Sequence, residues 1–195
     1  MNDKKILIRT ATLKDSKELL EIYIPYVKDT AITFEYGVPS EEEFKNRISS
    51  TLKKFPYLVA VKEDVILGFA YVSPFKSRAA YDWAVETSIY VKNDCKRMGI
   101  GKKLYSKLEE ALQAQNILNM NACIAYPEIE DEYLSKDSVK FHENLGYKLV
   151  GEFHKCGYKF NRWYNMVWME KHIGLHVENQ PEVKTFQEIR EEIGL

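Results

Sequence analysis

The sequence predicts a single α+β domain: a mixed central β-sheet flanked by helices, in the order β-α-α-β-β-β-α-β-α-β-β. Three observations lead there. Apolar residues recur every second position in some stretches and every third or fourth in others, so strand and helix signals alternate along one chain. The strands cluster instead of following one another in tandem β-α units, which excludes a doubly wound parallel sheet. Finally, 195 residues with 45% hydrophobic and 13% aromatic side chains, 9 Gly and 6 Pro can bury one core without disulfides, and they are neither disordered nor collagen-like in composition.

Each element has its own signal. Ile6-Leu7-Ile8 reads as a first strand, and Thr12 with Asp15 has the spacing of a capping box that opens a helix. Leu13, Leu20, Tyr23, Ile24 and Val27 recur near helical spacing, with Pro25 expected to end or kink the helix. Residues 30–39 read as loop, and Ser40 with Glu43 as a second capping box ahead of Phe44, Ile48 and Leu52. The runs 57–61 and 65–73, separated by Glu63-Asp64, read as a hairpin. A basic loop, 74–80, leads to a strand expected over 81–91, with Trp83, Val85, Ile89 and Val91 on one parity. Leu104, Leu108, Ala111 and Leu112 mark the next helix, to about Asn116, and 120–125 a further strand. The acidic stretch 128–132 reads as solvated loop, and a short helix through Val139, Phe141 and Leu145 stops at Gly146. Residues 147–153 and 163–169 read as a last hairpin, turning around 157–161. A polar connector and a short amphipathic helix with Phe186, Ile189 and Ile193 follow, so the division expected is a domain over 1–173 and a tail over 174–195.

The charge balance, 28 Lys plus Arg against 29 Asp plus Glu, leaves a net charge of −1 and no global field for nucleic acid or anionic lipid. Cys95, Cys123 and Cys156 are odd in number, far apart and without a C-x-x-C pair, which disfavours a disulfide framework or zinc cage and fits a reducing cytoplasm. His172 and His176 have i,i+4 spacing but no evident third ligand, so no metal is expected. The charged start and the short apolar runs argue against a signal peptide or membrane span, so no membrane partner is expected either.

The most informative segment is the strand ending at Val91, the turn Lys96-Arg97-Met98-Gly99-Ile100-Gly101, and the helix beginning at Lys102. Two glycines at a helix start let backbone N–H groups approach a phosphate; they also simply suit a tight strand-to-helix connection. The turn lacks the Gly-Lys-Ser/Thr ending of a P-loop and the third glycine of a dinucleotide fold.

Lys96-x-x-Gly99-x-Gly101 resembles the pyrophosphate motif of the GNAT N-acetyltransferase superfamily, and Phe141-His-Glu-Asn-Leu-Gly-Tyr147 resembles its late helix-to-strand signature. Phe75-Lys-Ser-Arg-Ala-Ala-Tyr-Asp-Trp83, Glu86, Tyr90, Cys156-Gly-Tyr-Lys159 and Trp163 are similar to the phosphinothricin N-acetyltransferase-like group. The resemblance spans about 6–169. It implies a GNAT-like fold, acetyl-coenzyme A (acetyl-CoA) as cosubstrate without metal, and direct transfer to the primary amine of a small amino-acid-like acceptor of the phosphinothricin or methionine sulfone type. Oligomeric state stays open, with a homodimer as one option. Three departures from the group stand out: Lys96 replaces the usual Gln or Arg, Ser135 aligns near a cofactor-holding Asn, and 128–134 is longer.

Residue by residue, the resemblance makes Glu86, on the parity opposite Val85, the general base; by residues alone it is also an ordinary strand carboxylate. His142 becomes an acid for the departing thiolate or an alternative base, against a helix-surface or packing histidine. Pantetheine is expected along Ser88, Ile89, Tyr90 and Val91, with an oxyanion donor near Tyr90 or Val91. Pyrophosphate is expected on the N–H groups from Arg97 to Lys102. Lys76, Arg78 and Tyr81 would meet the acceptor's anionic part, and Phe34 would wall its pocket. The rival readings are a GNAT acting on a polyamine, antibiotic or protein N-terminus, which Lys76 and Arg78 disfavour for polyamines, and a non-catalytic acyl-CoA-binding module, which Glu86 disfavours.

Overall fold

A computed structural model describes residues 5–195, so the first four residues of the expected 1–173 domain lie outside it. Strands β1 (Leu7–Thr10), β2 (Tyr57–Lys62), β3 (Val65–Pro74), β4 (Ala84–Val91), β5 (Asn119–Tyr126), β6 (Lys148–Lys159) and β7 (Arg162–His172) form one sheet in the order β1-β2-β3-β4-β5-β7-β6. Helices α1 (Ser16–Asp29) and α2 (Glu41–Leu52) cover one face, and α3 (Ile100–Ala114) and α4 (Asp137–Asn144) the other.

Strand alternation explains the two-sided core. On β2, Tyr57 and Val59 join Leu19, Tyr23, Phe44 and Phe69 on the α1/α2 side, whereas Leu58 and Ala60 join Leu104, Leu108 and Met120 on the α3 side. The β2–β3 turn has Glu63 and Asp64 both at positive φ, the geometry of a two-residue hairpin turn.

Three expectations shift. α1 runs through Pro25 to Asp29. Proline's cost of about 3 kcal/mol is outweighed by burial of Ile22, Tyr23, Tyr26 and Val27, at roughly 1.5–3 kcal/mol for each large apolar side chain. β4 begins at Ala84, because Ala79–Tyr81 forms a single 3₁₀ turn, closed by the Tyr81 N–H to Arg78 O bond, and Asp82 pairs with Lys54 at 3.0 Å. The last hairpin turns at Phe160-Asn161, both at positive φ, and β6 is bulged between Phe153 and Gly157. Gly157 serves a different purpose: a Cβ there would run into the Phe34 ring.

After β7 the chain returns across α3. Gln115 Nε2 donates to Lys54 O and Lys184 O, both at 2.8 Å, and α5 (Phe186–Ile189) buries Phe186 and Ile189 against Ala111. Trp83 Nε1 donates to Pro181 O at 2.8 Å, tying this segment to the entrance of β4.

Candidate active site

β4 and β5 run parallel and pair only at Ala84–Asn119, Val85–Met120 and Glu86–Asn121. Beyond Glu86 each strand continues with its outer neighbour, β3 or β7, so the sheet forks. Side chains take over the ladder at the crotch: Asn121 Nδ2 donates to Val85 O at 3.1 Å, and Thr87 Oγ1 to Asn121 O at 3.0 Å. The resulting cleft is lined by Thr87 to Tyr90 on one side and Ala122 to Ala125 on the other, with Ile32, Leu134, Tyr105 and His142 around it.

The turn before α3 opens beside this fork. Arg97 and Gly99 both have positive φ, a conformation only glycine adopts without strain, and together they curl the backbone into a concave run. The first helical bond is Lys103 N–H to Gly99 O, which leaves the N–H groups of Ile100, Gly101 and Lys102 without helical acceptors. An anion is favoured there by those donors and by the helix dipole. Gly101 has a second reason to be glycine, since a Cβ would lie 2.9 Å from the Phe141 ring, so it also sets the approach of α4. Lys96, Arg97, Met98 and Lys102 are exposed around the turn, with Lys96 Nζ 5.2 Å from the Tyr26 ring centre. These residues fit a pyrophosphate made to rest on backbone donors. Ser135 is exposed just ahead of α4, and its hydroxyl accepts from Asp137 N–H at 3.4 Å.

Lys92 N–H bonds Leu67 O on β3, so by alternation Tyr90 also turns its backbone polar groups to β3, while those of Thr87, Ile89 and Val91 face the fork. Val91 N–H meets Tyr26 Oη at 3.2 Å, and that hydroxyl donates to Val91 O. Of the stretch from Ser88 to Val91 expected to meet pantetheine, the backbone of Ile89 is therefore what the fork presents, together with that of Thr87 just before it.

Glu86 is the last residue of β4 paired to β5 and lies half-buried on the α1/α2 face with Ser88 and Tyr90. Burial raises its carboxyl above the ordinary range, and Lys76 opposes that shift. Lys76 Nζ rests over the Phe75 and Trp168 rings, 4.9 and 5.3 Å from their centres. Arg78 is exposed at the start of the 3₁₀ turn, and Tyr81 packs edge-on to Phe75. The structure thus brings Lys76 to Glu86 and places Arg78 and Tyr81 farther along the same loop. Phe34 is half-buried against Gly157 and Tyr164.

His142 lies across the sheet from Glu86, 3% exposed. Its Nδ1 is 2.7 Å from Ser138 O, which places the neutral ring's proton there and leaves Nε2 an acceptor, 2.9 Å from Tyr105 Oη. Tyr105 Oη is also 3.1 Å from Thr87 Oγ1. Burial lowers the His142 pKa and pushes that of Tyr105 up, holding both groups neutral. Sequence reasoning missed Tyr105: it occupies a core position of the α3 stripe, and nothing local marks its hydroxyl as part of the cleft.

The three cysteines are free, and among the described residues no three His, Cys, Asp or Glu side chains gather to hold a metal. No helix among those residues is long and apolar enough to cross a membrane.

A forked sheet with a turn of free backbone N–H donors at the mouth of the fork defines a class. The family model for the acetyltransferase (GNAT) domain matches residues 8–168, and the chain belongs to that family of acetyl-CoA-dependent N-acetyltransferases. It is 30% identical to a phosphinothricin N-acetyltransferase of Streptomyces viridochromogenes, over 91% of this chain and 93% of that one. It is 26% identical to an L-methionine sulfoximine/L-methionine sulfone acetyltransferase of Salmonella typhimurium, over 87% and 95%. A crystal structure of a phosphinothricin acetyltransferase from Sinorhizobium meliloti in complex with acetyl-CoA superposes with a TM-score of 0.81 at 30% identity, over 93% of this chain and 98% of that one.

Proposed function

We propose that this N-acetyltransferase acts on the primary amine of a small amino-acid-like acceptor of the phosphinothricin or methionine sulfone type, with Glu86 as the base. The observation that carries the reading is the place of Glu86 at the point where β4 and β5 part. Acetyl-CoA supplies an activated acetyl thioester when bound. The donors of Ile100 to Lys102 hold its pyrophosphate, and the backbone of Thr87 and Ile89 orients its arm toward the fork. An ammonium ion has no lone pair for attack, so Glu86, directly or through one water, takes its proton. The raised affinity of Glu86 for protons suits that task near neutral pH. Lys76, and Arg78 farther out, receive the acceptor's anionic group, and Phe34 walls the pocket from the loop after α1. Because both are held neutral, the Tyr105 hydroxyl serves the leaving sulfur as a hydrogen-bond donor rather than as a strong acid, with His142 behind it. Three free cysteines support a cytoplasmic setting.

The test is amine-dependent release of the coenzyme thiol across a panel of α-amino acids, polyamines and peptides. Turnover confined to small anionic amines supports the reading; turnover only with polyamines or peptides, or none at all, contradicts it.

A further inference from the structure

Gly157 and Lys159 lie at the end of β6, and both are buried against the loop that follows α1. A buried ammonium is costly unless its N–H groups are all bonded. Lys159 meets that condition with three backbone carbonyls, Val27 O, Thr30 O and Thr33 O, each at 2.8 Å. Val27 O is in the last turn of α1, and the N–H that a longer helix would offer it, that of Ala31, bonds Tyr133 O at 3.0 Å instead. The ammonium takes its place at the negative end of the helix dipole and fixes the chain as far as Thr33.

Gly157 makes room for the same loop. It stands opposite Tyr164 in the β6–β7 register, and Phe34 packs against both. The φ of Gly157 is outside the left-handed region, so the Phe34 ring, not the backbone, excludes a side chain there. Between the two residues, Tyr158 O accepts from the Tyr36 hydroxyl. What the loop carries is one wall of the fork. Ile32 lines the cleft with Ala125 and Leu134, and Phe34 joins Ala125, Leu134 and Tyr164 in one apolar cluster.

We propose that Lys159 and Gly157 are positioning residues for the acceptor, seating residues 30–34 so that Ile32 and Phe34 close its side of the cleft. This rests on the acceptor reading above. Both act through the loop, whereas the turn that holds the pyrophosphate is built from other segments, so their loss falls on the acceptor and spares acetyl-CoA.

Lys159→Met keeps the length of the side chain and removes its three N–H donors. We expect it to raise KM for phosphinothricin about 10-fold or more, and to change Kd for acetyl-CoA less than about twofold. Gly157→Ala should displace the Phe34 ring and raise the same KM by a similar factor. In a Phe34→Ala background no ring stands in the way, and adding Gly157→Ala should change kcat/KM for phosphinothricin less than about twofold, because the two residues share one contact. This cycle keeps the test decisive where Lys159→Met fails to fold. An unchanged phosphinothricin KM, losses shared equally by acceptor and coenzyme, or a Gly157→Ala penalty that persists without the ring overturns the inference alone. A wild type that acetylates no small anionic amine overturns the acceptor reading and this inference with it.

Discussion

The two sides of the fork are built differently. The proposed coenzyme side is made of backbone: N–H groups of one turn and one helix start, and the inward edge of β4. The proposed acceptor side is made of side chains drawn from separate segments, with Phe34 from the loop after α1, Lys76 and Arg78 from the basic loop and Glu86 from β4. A backbone site depends on conformation and tolerates exchange of its side chains, as Lys96 in the turn illustrates. A side-chain site changes preference with single substitutions while the fold and the coenzyme remain.

The sharpest break between the sides should come at Glu86. Glu86→Gln is expected to lower kcat by roughly 10² to 10⁴ while leaving stabilisation by acetyl-CoA intact, because proton acceptance is lost and size is kept. Steady-state rates beside thermal shifts check this. Next, Arg78→Ala should raise KM by roughly 10- to 100-fold for acceptors carrying a carboxylate or phosphinate and spare neutral amines, the cost of one charged hydrogen-bond pair; equal losses for both would remove that loop from acceptor recognition. On the other side, Gly99→Val puts a β-branched residue at φ 76° and should weaken acetyl-CoA at least about 10-fold, read as loss of about half or more of the roughly 2.7 kcal/mol stabilisation expected at a hundredfold excess over Kd. Acceptor preference among the remaining turnovers should not change.

The smallest effect belongs to neither side. Asp15 caps the Leu13–Asp15 turn and pairs with Arg9 at 2.8 Å. Burial raises its carboxyl, but Arg9 and the Thr12 N–H outweigh that and hold it below the ordinary range. A carboxyl with a lowered folded pKa stabilises above its unfolded value, near 3.9, and loses that contribution as pH falls through the folded one. Asp15→Asn should therefore cost about 1 kcal/mol at pH 7 and little near pH 2, measured by denaturant unfolding, with activity unchanged at permissive temperature.

The same contrast decides what was legible in the sequence. The Ser40 N-cap, the Glu63-Asp64 turn and the 96–101 turn are each specified within a few residues and stand where their spacing placed them, although the Glu43 carboxylate pairs with Arg47 and leaves the capping box half made. The face of the strand that carries Glu86 was legible through parity, but its role as base came from the family resemblance alone. Tyr105 was not legible: it reads locally as a core position of α3, and only the packing of α4 beside the fork of β4 from β5 brings its hydroxyl to His142 and Thr87. Pro25 misled for the same reason, since the tertiary burial that carries α1 through it has no local signature.

The central claim is that Glu86, at the fork, removes the amine's proton. The most direct measurement is the pH dependence of kcat/KM for phosphinothricin in the wild type and in Glu86→Gln. With the carboxyl raised by burial, the wild type should show an acidic limb displaced above the ordinary glutamate value of about 4.3, and the variant should lose both the rate and that limb. A Glu86→Gln enzyme that keeps the wild-type rate and the same limb would place the base elsewhere.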